Sequence, residues 1–211
     1  MKRPARFISL EGGDGSGKST QIARLVAALT KRGIATLATR EPGGAPGAEE
    51  IRKLVLTGEP GRWDVMTETL LMFAARSDNV ARAIKPALAA GKWVICDRFT
   101  DSTYAYQGAG GGLARETIRR LETLALGDFR PDLTLILDVP IEIGIARTHG
   151  RAHDETRFEK FNSEFHERLR QAYLSIARRD PVRCVVIDAA ADEETMAKAI
   201  WTTVAKRYKL R

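Results

Sequence analysis

The segment Gly12-Gly13-Asp14-Gly15-Ser16-Gly17-Lys18-Ser19 constrains this chain more than any other feature of its sequence. It fits the pattern G-x-x-x-x-G-K-[ST], follows an apolar run typical of a strand and precedes a helical pattern. Glycines in such a loop let backbone N–H groups turn inward around phosphate oxygens, and the following helix directs its positive end at the anion. The segment therefore predicts a site for a nucleotide phosphate chain, with Lys18 on the β- and γ-phosphates and Ser19 on Mg²⁺.

Five apolar runs alternate with helical patterns along the chain. Continuous apolar runs are typical of strands in a parallel sheet that is covered on both faces. The predicted strands are Phe7–Leu10, Ile34–Ala38, Trp93–Cys96, Leu133–Leu137 and Cys184–Ile187. The predicted helices are Ser19–Arg32, closed by Gly33, then Thr67–Ala90 with a kink or break at Pro86, Phe161–Ile176 and Met196–Tyr208. This alternation predicts an α/β fold, a five-stranded parallel sheet flanked by helices on both faces.

The chain has 211 residues, with no internal repeat and no linker. We therefore expect a single domain covering residues 1–211. Two segments have the composition of loops. Gly108–Gly112 contains four glycines, and Arg147–Arg157 is polar with three arginines and two histidines. The second segment is predicted to form a mobile lid at about residues 147–158.

The formal net charge of +7 allows two interpretations. A basic surplus is found in proteins that bind nucleic acid, and also in proteins with pockets for polyanionic small molecules. The arginines are spread along the chain, without a basic run, a zinc-finger spacing or a ribonucleoprotein motif. We therefore expect no nucleic-acid partner.

The location of the protein is predicted from what the sequence lacks. The chain has no apolar run of the roughly 18 residues that a transmembrane helix needs, and no signal-peptide pattern. Its only cysteines, Cys96 and Cys184, lie in apolar runs and are predicted to be buried free thiols. These features predict a cytoplasmic protein without a membrane partner.

A phosphate-binding loop alone does not distinguish a switch or motor NTPase from a small-molecule phosphotransferase. Asp97 ends a predicted buried strand, where a carboxylate can hold Mg²⁺ or its water. The tetrapeptide N-K-x-D expected of a GTPase is missing from the sequence. A phosphotransferase needs a second anion site and a means of excluding water. Arginines near several strand ends and the arginine-rich lid offer both.

The chain resembles the thymidylate kinase family from Phe7 to about Tyr208. The segments that carry the resemblance are Glu11–Thr20, Thr39–Gly44, Leu71–Arg76, Asp97-Arg98-Phe99, Ser102–Gly108 and Gly127–Asp132. The resemblance implies the fold of nucleoside monophosphate kinases, a homodimer, and transfer of the γ-phosphoryl group of ATP to thymidylate (dTMP). It assigns ATP to the loop residues Gly12, Gly13, Asp14, Gly15, Ser16, Gly17, Lys18, Ser19 and Thr20. It assigns Mg²⁺ to Ser19 and Asp97.

The resemblance also assigns residues to the acceptor nucleotide. They are Asp14, Arg40, Phe73, Arg76, Arg98, Thr103, Tyr106 and Gln107. Phe73 would stack on the thymine ring, and Arg76, one helical turn later, would donate to a base carbonyl. Tyr106 would crowd the sugar 2′ position and so favour deoxyribose.

The remaining acceptor residues would act on the polar edge of the base, the sugar and the phosphate. Thr103 and Gln107 would read the edge of the base, and Asp14 would lie near the sugar. Arg40 and Arg98 would clamp the acceptor phosphate, because a planar guanidinium matches two phosphate oxygens at once.

Members of this family carry a catalytic arginine either in the phosphate loop or in the lid. The variable loop positions here hold no arginine, so the chain resembles the bacterial type with a lid arginine. Arg151 is predicted to act on the transferred phosphoryl group together with Lys18 and Arg98, and Arg147 and Arg157 are the alternatives. His149 and His153 are spaced like a metal pair, but the neighbouring arginines disfavour a cation, and no metal is expected there.

Three other functions stay open at this point. The chain could phosphorylate another (deoxy)nucleoside monophosphate, it could be a deoxynucleoside kinase, or it could be a P-loop ATPase that binds nucleic acid.

Overall fold

The computed structural model describes residues 4–148, 157–158 and 160–210. Its strands form one sheet of five strands in the order β2-β3-β1-β4-β5, and every pairing is parallel. The strands are β1 (Phe7–Glu11), β2 (Thr36–Arg40), β3 (Trp93–Asp97), β4 (Leu133–Asp138) and β5 (Cys184–Asp188). The predicted α/β fold with a five-stranded parallel sheet is confirmed.

Helices cover both faces of the sheet within the described residues. They are α1 (Lys18–Thr30), α2 (Pro46–Leu56), α3 (Val65–Asn79), α4 (Lys85–Ala89), α5 (Thr100–Thr103), α6 (Arg115–Leu126), α7 (Ile141–Thr148), α8 (Ser163–Arg179) and α9 (Glu193–Tyr208). Two π-helical segments, Val80–Ile84 and Tyr104–Gly110, follow α3 and α5 directly. Among the described residues, no helix combines the length and the apolar composition that crossing a bilayer requires.

The core lies in two layers, one on each face of the sheet. On one face, α1 and α9 pack side chains such as Leu29 and Val204 against Leu10 of β1. On the other face, α8 covers Ile136 with Tyr173 and its neighbours. Both cysteines are buried and free, as predicted.

The boundary between α1 and β2 differs from the prediction by two residues. The N–H groups of Gly33 and Ile34 donate to the carbonyls of Thr30 (2.9 Å) and Leu29 (3.1 Å). Gly33 has a φ of 70°, which glycine adopts at little cost. These bonds form the C-terminal cap of α1, so Ile34 belongs to the cap and β2 starts later, at Thr36.

The long helix predicted at Thr67–Ala90 is divided, but the division lies before Pro86, the position predicted to kink or break it. A π-helical segment, Val80–Ile84, separates α3 from α4, and Pro86 lies at the start of α4. Proline lacks an N–H group and disfavours a regular i to i−4 ladder, and a π-bulge is one way for a helix to absorb such a defect.

The prediction of a loop at Gly108–Gly112 is wrong for its first three residues, because Gly108–Gly110 lie within the π-helical segment Tyr104–Gly110. A Cβ atom on Gly110 would lie 2.5 Å from the ring of Phe165 in α8. The glycine is therefore required for close packing of this segment against α8 and not for a turn.

Candidate active site

The phosphate-binding loop joins β1 to α1 and lies against the end of β4 and the start of α7. A Cβ atom on Gly15 would lie 2.1 Å from the carbonyl oxygen of Gly144, and one on Gly12 would lie 2.5 Å from that of Leu137. Both glycines also have positive φ values, 74° and 137°. Only glycine fits at either position, so α7 and β4 hold the loop in one shape.

Lys18 lies across the inside of this loop. Its Nζ donates to the carbonyl oxygens of Gly13 (2.8 Å) and Gly12 (3.1 Å) and to the hydroxyl of Ser16 (3.3 Å). Burial lowers the pKa of Lys18 to about 8, and the guanidinium of Arg98 adds to the effect. An anion bound in the loop would offset both effects, because it favours the charged ammonium.

Ser19 and Asp97 meet where α1 begins and β3 ends. The Ser19 hydroxyl donates to Oδ2 of Asp97 at 3.3 Å. The other carboxylate oxygen, Oδ1, is buried and has no hydrogen-bond partner among the described residues. A buried, unsatisfied carboxylate oxygen beside a hydroxyl is an oxygen donor set that suits a hard divalent cation. These two residues therefore fit the predicted Mg²⁺ site.

A metal site can also be built from protein side chains alone. The described part of the chain brings together no group of three or more His, Cys, Asp or Glu side chains that could hold a metal ion. A Mg²⁺ ion at Ser19 and Asp97 would thus depend on nucleotide phosphates for further ligands, which is the usual binding mode of this ion.

Arg98 is the centre of a hydrogen-bond network. Its backbone has a φ of 69°, in the left-handed region that few non-glycine residues adopt. Its guanidinium donates to Oδ1 of Asp14 (2.7 Å), to the hydroxyl of Tyr106 (3.0 Å) and to the carbonyl of Gly12 (2.9 Å). Burial disfavours the charged form of Asp14, but Arg98 and Lys18 outweigh it and hold the pKa of that carboxyl below its ordinary value.

Two residues that support Arg98 were not predicted from the sequence. Glu11, fully buried at the end of β1, accepts hydrogen bonds from the Phe99 N–H and the Ser102 hydroxyl, both at 2.6 Å. Tyr173 of α8 accepts from Arg98 at 3.1 Å and shares a hydrogen bond of 2.8 Å with Ser102. Burial, followed by the nearby charge of Asp101, raises the pKa of Glu11 to about 8. These side chains fix the segment that carries Arg98.

A cavity of about 860 Å³ opens at the carboxyl ends of β1, β2 and β3. Ligands in open parallel sheets bind at this edge. The predicted site residues that line it are Asp14, Gly15, Gly17, Lys18, Ser19, Thr20, Arg40, Arg76, Asp97, Arg98, Thr103, Tyr106 and Gln107. Ser16, a residue of the loop itself, is fully buried. The cavity therefore brings most of the predicted ATP, Mg²⁺ and acceptor residues together.

A smaller cavity of about 470 Å³ lies between the loop, the end of β4, α7 and α8. Gly12 and Gly13 line it, and Asp14 and Thr148 line both cavities. The two cavities therefore adjoin at the phosphate-binding loop.

Arg76 lies at the deep end of the larger cavity and is 2% exposed. Its guanidinium donates to the carboxylate of Glu41, to the hydroxyl of Thr103 (3.0 Å) and to the carbonyl of Phe99 (3.1 Å). Phe73 packs under this guanidinium, whose carbon lies 5.0 Å from the ring centre, and it does not line the cavity. Its predicted stacking on a base stays a prediction.

Gln107 and Arg40 both line the larger cavity, Gln107 at a buried position and Arg40 at an exposed one. Gln107 is 1% exposed, and its Nε2 donates to Glu68 at 2.8 Å. Arg40 is exposed at the end of β2 and donates to both carboxylate oxygens of Glu49, at 2.9 and 3.3 Å. Arg40 therefore lies at the mouth of the cavity, where Glu49 holds its fork in place.

The three candidate lid arginines differ in what the structure describes. Arg151 lies outside the described residues, as do His149 and His153. Arg147 lies in the last turn of α7 and donates to the carbonyl of Ala189, just beyond β5, at 2.7 Å. Arg157 is 2% exposed and forms an ion pair with Glu68, so its side chain is directed into the body of the protein.

Comparison with known proteins gave a consistent set of relatives. A family model described as thymidylate kinase matches residues 10–200. The thymidylate kinase of Caulobacter vibrioides is 53% identical over 204 residues, which are 97% of this chain and 98% of that protein. The thymidylate kinase of Afipia carboxidovorans is 52% identical over 205 residues, 96% of this chain and 90% of that protein. A crystal structure of thymidylate kinase from Ehrlichia chaffeensis superposes with a TM-score of 0.77 at 34% identity, covering 96% of this chain and 98% of that one.

Proposed function

This chain belongs to the thymidylate kinase family and transfers the γ-phosphoryl group of ATP to dTMP, giving ADP and dTDP, and we propose that the transfer takes place where Lys18, Asp97 and Arg98 converge. The observation that carries this assignment is the network around Arg98. It joins the end of β3 to Asp14 of the phosphate-binding loop and to Tyr106 in the acceptor cavity. The guanidinium of Arg98 thus lies between the proposed binding sites of the two reacting phosphates.

The donor side of the proposed site is built from residues of the phosphate-binding loop. Lys18 would place its ammonium on the β- and γ-phosphates, because its Nζ already lies among the carbonyls of the loop. Ser19 and Asp97 would hold Mg²⁺, which when bound neutralises charge on the phosphate oxygens. Arg147 lies over the end of β5, and this supports an adenine site near residues 188–190.

The acceptor side lies deeper in the larger cavity. Arg76, Thr103 and Gln107 would bind the edge of the base, and their burial excludes water that would compete for those hydrogen bonds. Tyr106 is 7% exposed and held by Arg98, so its ring is a rigid wall at the proposed sugar site. Arg40 would close on the acceptor phosphate from the mouth of the cavity.

No general base is needed in this reaction, because the acceptor phosphate is already an anion. The barrier arises from bringing two anions together and from charge that spreads over the equatorial oxygens of the transferred group. Lys18 and Arg98 offset both by neutralisation and positioning. An arginine from the lid, proposed to be Arg151, would complete the set and close the site to water.

The remaining proposals concern the whole protein. We propose one kinase domain, residues 1–211, with a lid at about residues 147–158; β1 and β5, which lie far apart in the chain, belong to one sheet. A homodimer is proposed from the family resemblance, and the exposed Met66 and Leu70 on one face of α3 support it. The two free buried thiols support a cytoplasmic location.

The assignment is tested by following dTDP and ADP together in reactions with ATP, Mg²⁺ and dTMP. Arg98→Lys keeps a positive charge but loses the planar fork, so kcat should fall at least about 10²-fold. Arg119→Lys changes an exposed arginine of α6 and is the matched control. An Arg98→Lys enzyme as fast as the control would remove Arg98 from the proposed mechanism.

A further inference from the structure

Glu68 lies directly behind Gln107, outside the lining of the cavity. It is in the first turn of α3 and 6% exposed. One of its carboxylate oxygens accepts from Nε2 of Gln107 at 2.8 Å, and the other pairs with Arg157. A buried carboxylate of α3 therefore links the residue proposed to read the base with Arg157, near the end of the proposed lid.

The chemistry of this contact decides which way the Gln107 amide faces. A carboxylate only accepts hydrogen bonds, so the amide nitrogen must lie toward Glu68. The carbonyl oxygen of the Gln107 amide then faces away from Glu68. This oxygen and the second N–H of the amide remain available to a ligand in the cavity. Without the carboxylate, rotation of the amide by half a turn would exchange its donor and its acceptor.

Pyrimidine bases differ in the pattern that such an amide can read. Thymine presents an N3–H donor beside the O4 acceptor, whereas cytosine presents an N3 acceptor beside the N4 amino donor. An amide held in one orientation pairs with only one of these edges. Against the other edge, its N–H would face a donor and its carbonyl would face an acceptor. Sites that hydrogen-bond a substrate group reject analogues that lack it far more strongly than apolar pockets do.

We infer that Glu68 is a specificity-determining positioning residue, which selects thymine over cytosine by fixing the orientation of the Gln107 amide. This inference rests on the proposed function, in which Gln107 binds the base. Glu68 acts through Gln107 and touches neither substrate.

Arg157 holds Glu68 in place but does not read the base. Its guanidinium also donates to the carbonyls of Val55 (3.1 Å) and Glu59 (3.2 Å), at the end of α2 and beyond it. A change at Arg157 therefore disturbs the same buried ion pair while leaving the carboxylate beside Gln107. This difference separates loss of orientation from loss of packing.

The test compares kcat/KM for dTMP, dUMP and dCMP in the wild type, Glu68→Gln and Arg157→Lys. The new amide of Glu68→Gln can present either a donor or an acceptor to Gln107, so it no longer fixes the orientation of the Gln107 amide. The ratio of kcat/KM for dTMP to that for dCMP should therefore fall at least about 10-fold. Arg157→Lys keeps a cation beside Glu68 but loses the fork, so thermal stability should fall while that ratio changes less than about 3-fold. The dTMP to dUMP ratio should hold in both variants, because uracil presents the same N3–O4 edge.

If Glu68→Gln does not fold, it is replaced by the double variant Glu68→Gln/Arg157→Gln, which leaves no unpaired buried charge. The same fall in the dTMP to dCMP ratio of kcat/KM is expected for that variant. An unchanged ratio in the variant that lacks the carboxylate, or an equal fall in Arg157→Lys, would overturn the role of Glu68. A wild-type enzyme that phosphorylates dTMP normally would then leave the proposed function intact. A wild-type enzyme inactive on dTMP would instead refute the proposed function itself.

Discussion

The guanidinium of Arg98 lies 2.7 Å from the carboxylate of Asp14. Both side chains are largely buried, and they belong to segments more than eighty residues apart in the chain. The contact ties the end of β3 to the phosphate-binding loop. The loop proposed to hold the phosphates of ATP therefore also fixes the guanidinium proposed to bind the acceptor phosphate.

Asp14→Asn should weaken the reaction by releasing Arg98. A charged hydrogen bond in a buried setting contributes about 1.5–3 kcal/mol, so kcat/KM for dTMP should fall roughly 10- to 100-fold. Initial rates at varied dTMP with saturating ATP measure this loss. Glu116→Gln, which breaks exposed ion pairs to Arg119 and Arg120, is the control and should leave kcat/KM unchanged. Equal kinetics in the two variants would contradict a functional role for the contact.

Asp97→Asn should raise the Mg²⁺ concentration that gives half-maximal rate. The buried Oδ1 atom of Asp97 is the oxygen that fits a cation, and since even outer-shell partners of a metal ion are worth about 10- to 100-fold in affinity, the loss here should be at least that large. The rate is measured across a Mg²⁺ titration at fixed ATP. Asp128→Asn, at an exposed turn, is the matched control. A Mg²⁺ dependence that matches the wild type would exclude Asp97 from the metal site.

The kcat/KM for ATP should fall as the pH rises through about 8, the value to which burial lowers the pKa of Lys18. Below that pH the lysine is charged and attracts phosphates, and above it the lysine is neutral. The pH profile of kcat/KM reports the free enzyme, whereas kcat reports the bound complex. Because bound phosphates stabilise the ammonium, kcat should persist to higher pH than kcat/KM. A kcat/KM profile that stays flat through about pH 8 would show that Lys18 does not titrate there.

Arg151→Ala and Arg147→Ala should separate the chemical step from donor binding. Arg151→Ala should lower kcat at least about 10²-fold with a modest change in KM for dTMP, because an arginine on the transferred group acts in the transition state. Arg147→Ala should mainly raise KM for ATP, about 10-fold, because Arg147 contacts the end of β5. Arg178→Ala, exposed on α8, is the control. Near-normal kcat in Arg151→Ala together with a large loss in Arg147→Ala would move the catalytic role to Arg147.

The sequence predicted the sheet and the phosphate-binding loop because both depend on local patterns. Apolar runs mark buried strands, and the glycines and lysine of the loop form a short motif whose spacing is visible in the sequence. The start of β2 was missed because the cap of α1 extends to Ile34. The segment Gly108–Gly112 was predicted to be a loop, whereas Gly108–Gly110 are π-helical, because Gly110 serves close packing on Phe165, a contact that the local sequence does not reveal.

The supporting residues of the site could not be predicted in the same way. Glu11, Tyr173 and Glu68 make their decisive contacts with residues 91, 71 and 39 positions away. Their local patterns indicate only a strand end and two helix positions. What makes them part of the site is the tertiary packing that brings α3, β1 and α8 together behind Arg98 and Gln107.

The central claim is tested most directly by ADP release from ATP and Mg²⁺ with a panel of acceptors: dTMP, dUMP, dCMP, dGMP, AMP, thymidine, single-stranded DNA and water alone. Fast turnover is predicted with dTMP. Slower turnover is predicted with dUMP, since one methyl group contributes only about 0.8–3 kcal/mol, and turnover near background is predicted with water. ADP release that did not increase with any monophosphate but rose with DNA, or that required thymidine in place of dTMP, would contradict the account.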